Sequence, residues 1–282
     1  MSTVSTSTGD LPSGLPVPET EAGRRGLSHI RADPSRAVVA LDYDGTLAPI
    51  VTDPGQAQAH PRAAPALRHL SGRLGGLAII TGRPAADVPR LGPFEDIPSL
   101  VVLGAYGNQR WQHGQLTLPA DDPGIAQVRA ELPTILAGAP SGTHLEDKGQ
   151  AIAVHTRGCA DPAAALAALR PVLTDLAERT GLLIEPGRMV LELRPGGMDK
   201  GAALRGLVAE LGATSVLYAG DDLGDIAAFD AVDTLREQGM PGLCVCSGSA
   251  EVTALASRAD LVVDGPAGVV ALLSALAAAL SS

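Results

Sequence analysis

Asp42 and Asp44 stand one residue apart in Asp42-Tyr43-Asp44-Gly45-Thr46, directly after the apolar run AVVAL at 37–41. Two carboxylates crowded at a strand end repel each other unless a cation lies between them. A site of hard oxygen ligands suits Mg²⁺. Gly45 lets the chain turn sharply, and Thr46 is placed to cap the next segment. An Asp-Gly pair alone marks only a turn. DxDGT closing a buried strand is far more specific.

Three further groups follow in order. Thr81-Gly82-Arg83 comes after LAII and offers a hydroxyl, backbone N–H groups and a guanidinium at a strand-to-helix junction, an arrangement that binds anions. Taken alone it is equally an ordinary helix cap. Lys200 in GGMDKGAAL opens a helix and can bring a point charge to phosphate, although singly it reads as a solvated surface lysine. Gly220-Asp221-Asp222-Leu223-Gly224-Asp225 ends the run SVLYA, and its carboxylates can complete a Mg²⁺ shell or orient its neighbours. Asp225 also suits a helix cap.

These groups need elements to hold them at strand ends. LAIITGR (77–83), LVVLGAYG (100–107), SVLYAGDD (215–222), GLCVCSG (242–248) and DLVVDGP (260–266) repeat the short apolar pattern of AVVALDYDG. Helical stretches separate them at 61–74, 84–91, 200–211, 223–235 and 249–258. Alternating strand and helix predicts an α/β fold, a doubly wound and mostly parallel Rossmann-like sheet with ligands at the strand C-termini. The middle third differs. THLEDKGQAIAVHTR (143–157) and LLIEPGRMVLELRP (182–195) read as hairpins turning at Asp147–Gly149 and Pro186–Gly187, with helices near 125–136 and 163–180. The expected division is a disordered tail with a short helix (1–36, the tail to about residue 19), a first core segment (37–107), an α+β insert (108–192) and a second core segment (193–282).

Composition narrows the partners. The chain has 282 residues, 45% hydrophobic and 18% charged, with 2% aromatics and a formal charge of −10. A nucleic-acid binder would want basic patches and stacking rings, so nucleic acid is excluded. No apolar stretch has the length or flanks of a membrane span or signal peptide. Cys159, Cys244 and Cys246 are too few for a disulfide framework. A cytoplasmic monomer acting on a small molecule is expected.

The four groups, in this order and each at a strand-to-helix switch, resemble the motifs of the haloacid-dehalogenase-like (HAD) phosphatases, and the insert between the Thr and Lys motifs resembles that superfamily's C2-type cap. The resemblance implies Asp42 as nucleophile, forming an aspartyl-phosphate, and Asp44 as general acid and then base. It implies Mg²⁺ held by the Asp42 and Asp221 carboxylates and the Asp44 backbone carbonyl. Thr81 and Lys200 would hold phosphoryl oxygens, Gly82 and Arg83 would line the substrate site, and Asp222 and Asp225 would stand behind the ligands. Within the superfamily, LDYDGTLAPIVTDPGQA, LEDKGQAIAVHTR and ELRPGGMDKGAAL resemble trehalose-6-phosphate phosphatases. GDDLGD and GAYGNQ depart from that family's usual wording without removing a chemical group.

The insert's alternation is compatible with a polyol ligand. A period of two puts His155 with Arg157 on one strand face and Glu192 with Arg194 on another, apolar residues opposite each. Glu146 and Lys148 flank a hairpin turn. These six are the expected sugar contacts, although a solvated sheet face would show the same pattern. Another capped sugar phosphatase, acting on sucrose 6-phosphate or a related ester, is the alternative. A non-catalytic module on the same fold would be expected to lack the nucleophile or the acid, and both are present.

Overall fold

The computed structural model describes residues 14–120, 122–248 and 253–281. Most of the expected tail, and the start of the helix expected at 249, lie outside them. The chain runs α1 (Glu21–Ala32), β1 (Ala37–Leu41), α2 (Ala63–Leu70), β2 (Gly76–Ile80), α3 (Val88–Leu91), β3 (Leu100–Gly104), β4 (Gln109–Gln112) and β5 (Gln115–Thr117). It continues through α4 (Pro123–Leu136), β6 (His144–Asp147), β7 (Ile152–His155), α5 (Pro162–Thr180), β8 (Leu182–Gly187) and β9 (Val190–Pro195). It ends with α6 (Lys200–Glu210), β10 (Ser215–Gly220), α7 (Ile226–Glu237), β11 (Gly242–Gly248), α8 (Thr253–Ala256), β12 (Leu261–Asp264) and α9 (Gly265–Ala279). Two compact units result, one of residues to Thr117 together with Asp199–Ser282, the other Leu118–Met198.

The first unit is built on an eight-stranded sheet of order β12-β11-β10-β1-β2-β3-β4-β5. The strands from β12 to β3 pair in parallel. Every residue of β1, β2 and β3 is buried, as near-continuous apolar runs require when helices cover both sheet faces. Val39, Leu41, Leu77, Ile79 and Leu217 share one core cluster with Leu67 and Leu70 of α2 and Leu273 and Leu276 of α9. Each such side chain contributes roughly 1.5–3 kcal/mol by leaving water, which makes these strands a stiff base for the loops beyond them. Connections diverge to either side of β1, which pairs with β10 on one edge and β2 on the other. Such a switch point opens a crevice at the strand C-termini. Asp42, Thr81 and Asp221 each follow one of these three strands directly.

The main sheet extends beyond its expected limit. β4 and β5 form an antiparallel hairpin that continues from β3, with Val102 opposite Trp111. Trp111 is buried in the sheet's core cluster, so 108–117 belong with the first unit rather than with the insert. The chain returns at Asp199, a few residues later than the expected 193.

The second unit is a four-stranded antiparallel sheet of order β6-β7-β9-β8. Ile152, Val154, Leu191 and Leu193 pack with Val128 and Leu132 of α4 and Leu169, Leu173 and Leu176 of α5. Asp122 and Asp161 cap the two helices at their N-termini, and Gly181 ends α5 at φ 71°. The second hairpin turns at Arg188–Met189 rather than at Pro186–Gly187. Strand pairing runs through Gly187 opposite Val190, and Met189 takes the left-handed φ of 60°. Pro186 is tolerated because β8 is an edge strand.

Candidate active site

Asp42 is the first residue beyond β1, and its N–H still donates to Ala219 O at 2.8 Å, so the sheet sets the direction of the carboxylate. The chain then turns tightly. Gly45 N–H donates to Ala48 O at 2.7 Å, and the Leu47 and Ala48 N–H groups donate to Tyr43 O. Gly45 has φ +70°, and a Cβ there would fall 1.9 Å from Asp221 Oδ2. Only glycine can both make this turn and let the second acidic loop approach. The buried Ser247, at the end of β11, donates to Gly45 O at 2.6 Å and fixes the turn from behind. Thr46 does not cap: its Oγ1 is buried without a hydrogen-bond partner among the described residues.

Lys200 opens α6 behind its N-cap Asp199. A Cβ on Gly201 would meet Ala227 O at 2.1 Å, so glycine is what lets this helix start close against α7. Lys200 is buried, with Nζ 2.9 Å from Asp42 Oδ2 and 2.8 Å from Asp225 Oδ1. Asp225 is wholly buried and saturated. Oδ1 also accepts from the Tyr218 hydroxyl at 2.7 Å, and Oδ2 accepts from the N–H groups of Asp221 and Asp222 at 2.9 and 3.2 Å. These bonds occupy the lone pairs of both its carboxyl oxygens. Asp222 is exposed and caps the turn at Gly224.

Carboxyl oxygens of Asp42, Asp221 and Asp225 lie within 4.8 Å of one another, all buried. Burial, with Asp225 and Asp221 nearby, pushes the Asp42 carboxyl well above its usual range despite Lys200 beside it. Burial, then Asp225 and Asp222, raises Asp221 to about 7. Burial works against the Lys200 charge, but Asp42 and Asp225 outweigh it and raise the ammonium. One buried lysine therefore faces three crowded carboxyl groups. That deficit of positive charge fits a divalent cation with oxygen ligands.

Thr81 is the first residue beyond β2 and is buried, with Oγ1 accepting from Arg83 N–H at 3.2 Å. Gly82 lies under the Tyr106 ring, where a Cβ would sit 3.0 Å from the phenol oxygen. Ala105 and Tyr106 both have left-handed φ, 47° and 60°, and are held there by donation to Arg83 O at 2.7 Å and Thr81 O at 3.0 Å. The Arg83 side chain makes a forked pair with Asp44.

In the second unit, Glu146, Ala153, Glu192 and Glu185 form one row across the four strands. Each carboxylate has a basic side chain as partner. Lys148 meets Glu192 at 2.5 Å, His155 meets Glu146 at 2.8 Å, and Arg194 meets Glu185 at 3.1 Å. Arg194 also donates to Met198 O at 2.8 Å. Five of the six expected sugar contacts thus gather on one face. Arg157 does not join them, because β7 ends at His155 and the arginine lies exposed in the following turn.

Residues 40–264 match the model of the trehalose-phosphatase family. This chain belongs to that family. It is 34% identical to a trehalose-phosphate phosphatase of Mycobacterium marinum over 88% of its own length, and 30% identical to a protein named "Probable trehalose-phosphate phosphatase" from Sinorhizobium fredii over 78%. The alignments cover 63% of the first relative and 83% of the second, and as little as 15% of a longer mycobacterial relative. Among solved structures, the Aspergillus fumigatus trehalose-6-phosphate phosphatase superposes with a TM-score of 0.68 at 25% identity, covering 95% of this chain and all of that one.

Beyond the motif residues, the structure adds Tyr218 and Ser247, which the sequence does not single out. Both orient the acidic loops without touching the nucleophile. Tyr218 sits within the apolar run SVLYA and Ser247 directly after VC, so each looks like ordinary strand packing. The sign that could have found them is a hydroxyl in the last strand turns before an acidic or glycine-rich loop.

Proposed function

We propose that this chain hydrolyses trehalose 6-phosphate to trehalose and inorganic phosphate, with Mg²⁺ as its cofactor. The observation that carries the reaction type is Asp42 at a strand end, 2.9 Å from a buried lysine and crowded by two further buried carboxyl groups. Asp42 attacks phosphorus through a carboxylate oxygen, breaking the bond to the sugar oxygen and forming an aspartyl-phosphate. Asp44 gives a proton to the leaving sugar oxygen and then takes one from the water that cleaves the intermediate. Lys200, with Thr81 and the Gly82 N–H, holds the non-bridging oxygens as their charge redistributes. Asp42, Asp221 and the Asp44 carbonyl would hold Mg²⁺, which would neutralise charge at the phosphoryl group when bound. Asp225 and Asp222 set the position of the Asp221 loop.

Family membership and the row Glu146–Glu192 with Lys148 and His155 support the choice of substrate. A carboxylate already neutralised by a cation, as Glu192 is by Lys148, suits uncharged hydroxyls, which both donate and accept. A cytoplasmic monomer is the setting this reading assumes, and the three free cysteines agree with a reducing compartment.

The test is phosphate release from trehalose 6-phosphate, sucrose 6-phosphate, glucose 6-phosphate and mannose 6-phosphate, with Asp42→Asn and EDTA-treated protein alongside. Preference for trehalose 6-phosphate, lost in both controls, is expected. Preference for another ester would keep the mechanism and reassign the substrate. Release that persists in Asp42→Asn would sink the mechanism.

A further inference from the structure

Arg83 belongs to the motif that follows β2, where a guanidinium would most simply meet the substrate's phosphate. Its donors are used elsewhere within the first unit. Nε donates to Asp44 Oδ2 and Nη2 to Asp44 Oδ1, both at 2.6 Å, and Nη1 donates to Pro54 O at 2.7 Å. The guanidinium carbon also lies 5.4 Å from the centre of the Tyr43 ring. That ring is itself immobile: Tyr43 is fully buried and its hydroxyl donates to Ala57 O at 2.8 Å and Leu91 O at 3.2 Å. The Asp44 side chain is 38% exposed and that of Arg83 only 13%, so packing fixes the arginine and the arginine fixes the aspartate.

We propose that Arg83 is a positioning residue that acts through Asp44, rather than a ligand of the substrate's phosphate. Its fork holds the Asp44 carboxylate in one plane, and its third bond ties that plane to the loop at Pro54. A planar fork is particular to arginine, and a lysine ammonium cannot make two parallel bonds to one carboxylate. The inference rests on the phosphatase reading for its kinetic consequence, although the pair itself does not depend on substrate.

The experiment compares full-length Arg83→Gln, Arg83→Lys, Asp44→Asn and the Arg83→Gln/Asp44→Asn double variant by steady-state kinetics with Mg²⁺ and trehalose 6-phosphate. With Asp44 misdirected, kcat should fall about ten- to a hundredfold while KM changes less than about threefold, because positioned proton transfer is what is lost. Arg83→Lys should be as impaired as Arg83→Gln, and Arg83→Gln should cost little further in the Asp44→Asn background. A KM raised about tenfold at unchanged kcat would make Arg83 a substrate ligand and overturn the proposal. So would full recovery by lysine. Melting temperatures of the same four proteins are measured in parallel. Shifts that do not add confirm the pair, and additive shifts refute it even if the wild type releases no phosphate, an outcome that would instead count against the phosphatase reading.

Discussion

The two clusters of charge in this molecule are built on opposite principles. Around Asp42 the charges are buried and unbalanced: three carboxyl groups crowd one lysine, and burial drives Asp42 and Asp221 toward their protonated forms. On the polar face of the β6–β9 sheet the charged groups are more accessible and are paired, Glu192 with Lys148, Glu185 with Arg194, and Glu146 with the His155 ring. Unbalanced burial destabilises a fold and persists where something else completes the charge, as a divalent cation and a phosphoryl group together would. Balanced ion pairs have no such appetite. The two units thus follow opposite charge logic.

The largest expected effect comes from removing the one cation of the buried cluster. Lys200→Met leaves Asp42 and Asp225 facing each other without compensation. Breaking a buried pair in this way should cost about 3–5 kcal/mol of unfolding free energy. Turnover should fall by at least about a hundredfold as phosphoryl oxygens lose a preorganised charge. Urea unfolding and phosphate release measure both. A loss under about 1 kcal/mol would mean the cluster is solvated after all, and the contrast between the two regions would collapse.

The second effect is a pH dependence confined to the metal-free protein. Asp221 titrates at 3.8 when unfolded and at about 7 in the fold. The folded chain therefore binds more protons between these values, so stability is full below pH 3.8 and is lost as pH rises through 7. Asp42 is shifted in the same direction. Lys200 is raised as well, but its contribution is lost only above its ordinary value of 10.5, outside this window. EDTA-treated protein should melt lower at about pH 8 than at about pH 5, and Mg²⁺ should raise the melting temperature more at the higher pH, where the ligands are ionised. A Mg²⁺ shift equal at both would break the link between charge deficit and metal.

How far each region can be read from sequence follows from its physics. A parallel strand buried on both faces must be an apolar run, so AVVAL, LAII and SVLYA announce themselves, and the polar groups that follow them stand out against it. The hairpin GNQRWQHGQLT carries no such run. It joins the sheet through one buried aromatic, Trp111, and the polar residues around it read as the start of the insert. A period of two extended past the strand's last residue, His155, puts Arg157 on the same face, and alternation carries no mark of where a strand stops. Arg83 shows a third limit. Its motif locates it at the site, but whether its fork meets a phosphate or Asp44 depends on how the loop at Pro54 folds back, a contact 29 residues distant along the chain.

The smallest expected effect sharpens the comparison from the other side. Glu192 and Lys148 pair at 2.5 Å with side chains 15% and 30% exposed, well above the 5–6% of the Lys200–Asp42 pair. Glu192→Gln keeps the size and one hydrogen-bond acceptor while removing the charge. Exposed pairs are worth less than about 1 kcal/mol, so unfolding by urea should barely change. If this face holds the sugar, KM for trehalose 6-phosphate should rise about tenfold while kcat for bound substrate stays near that of the wild type, the pattern of a lost uniform binding contact. Glucose 6-phosphate, with one ring fewer to grip, should feel the change less. An equal fall in kcat for both esters would place Glu192 in the chemistry instead of the recognition, and balanced charge would then not mark a binding face.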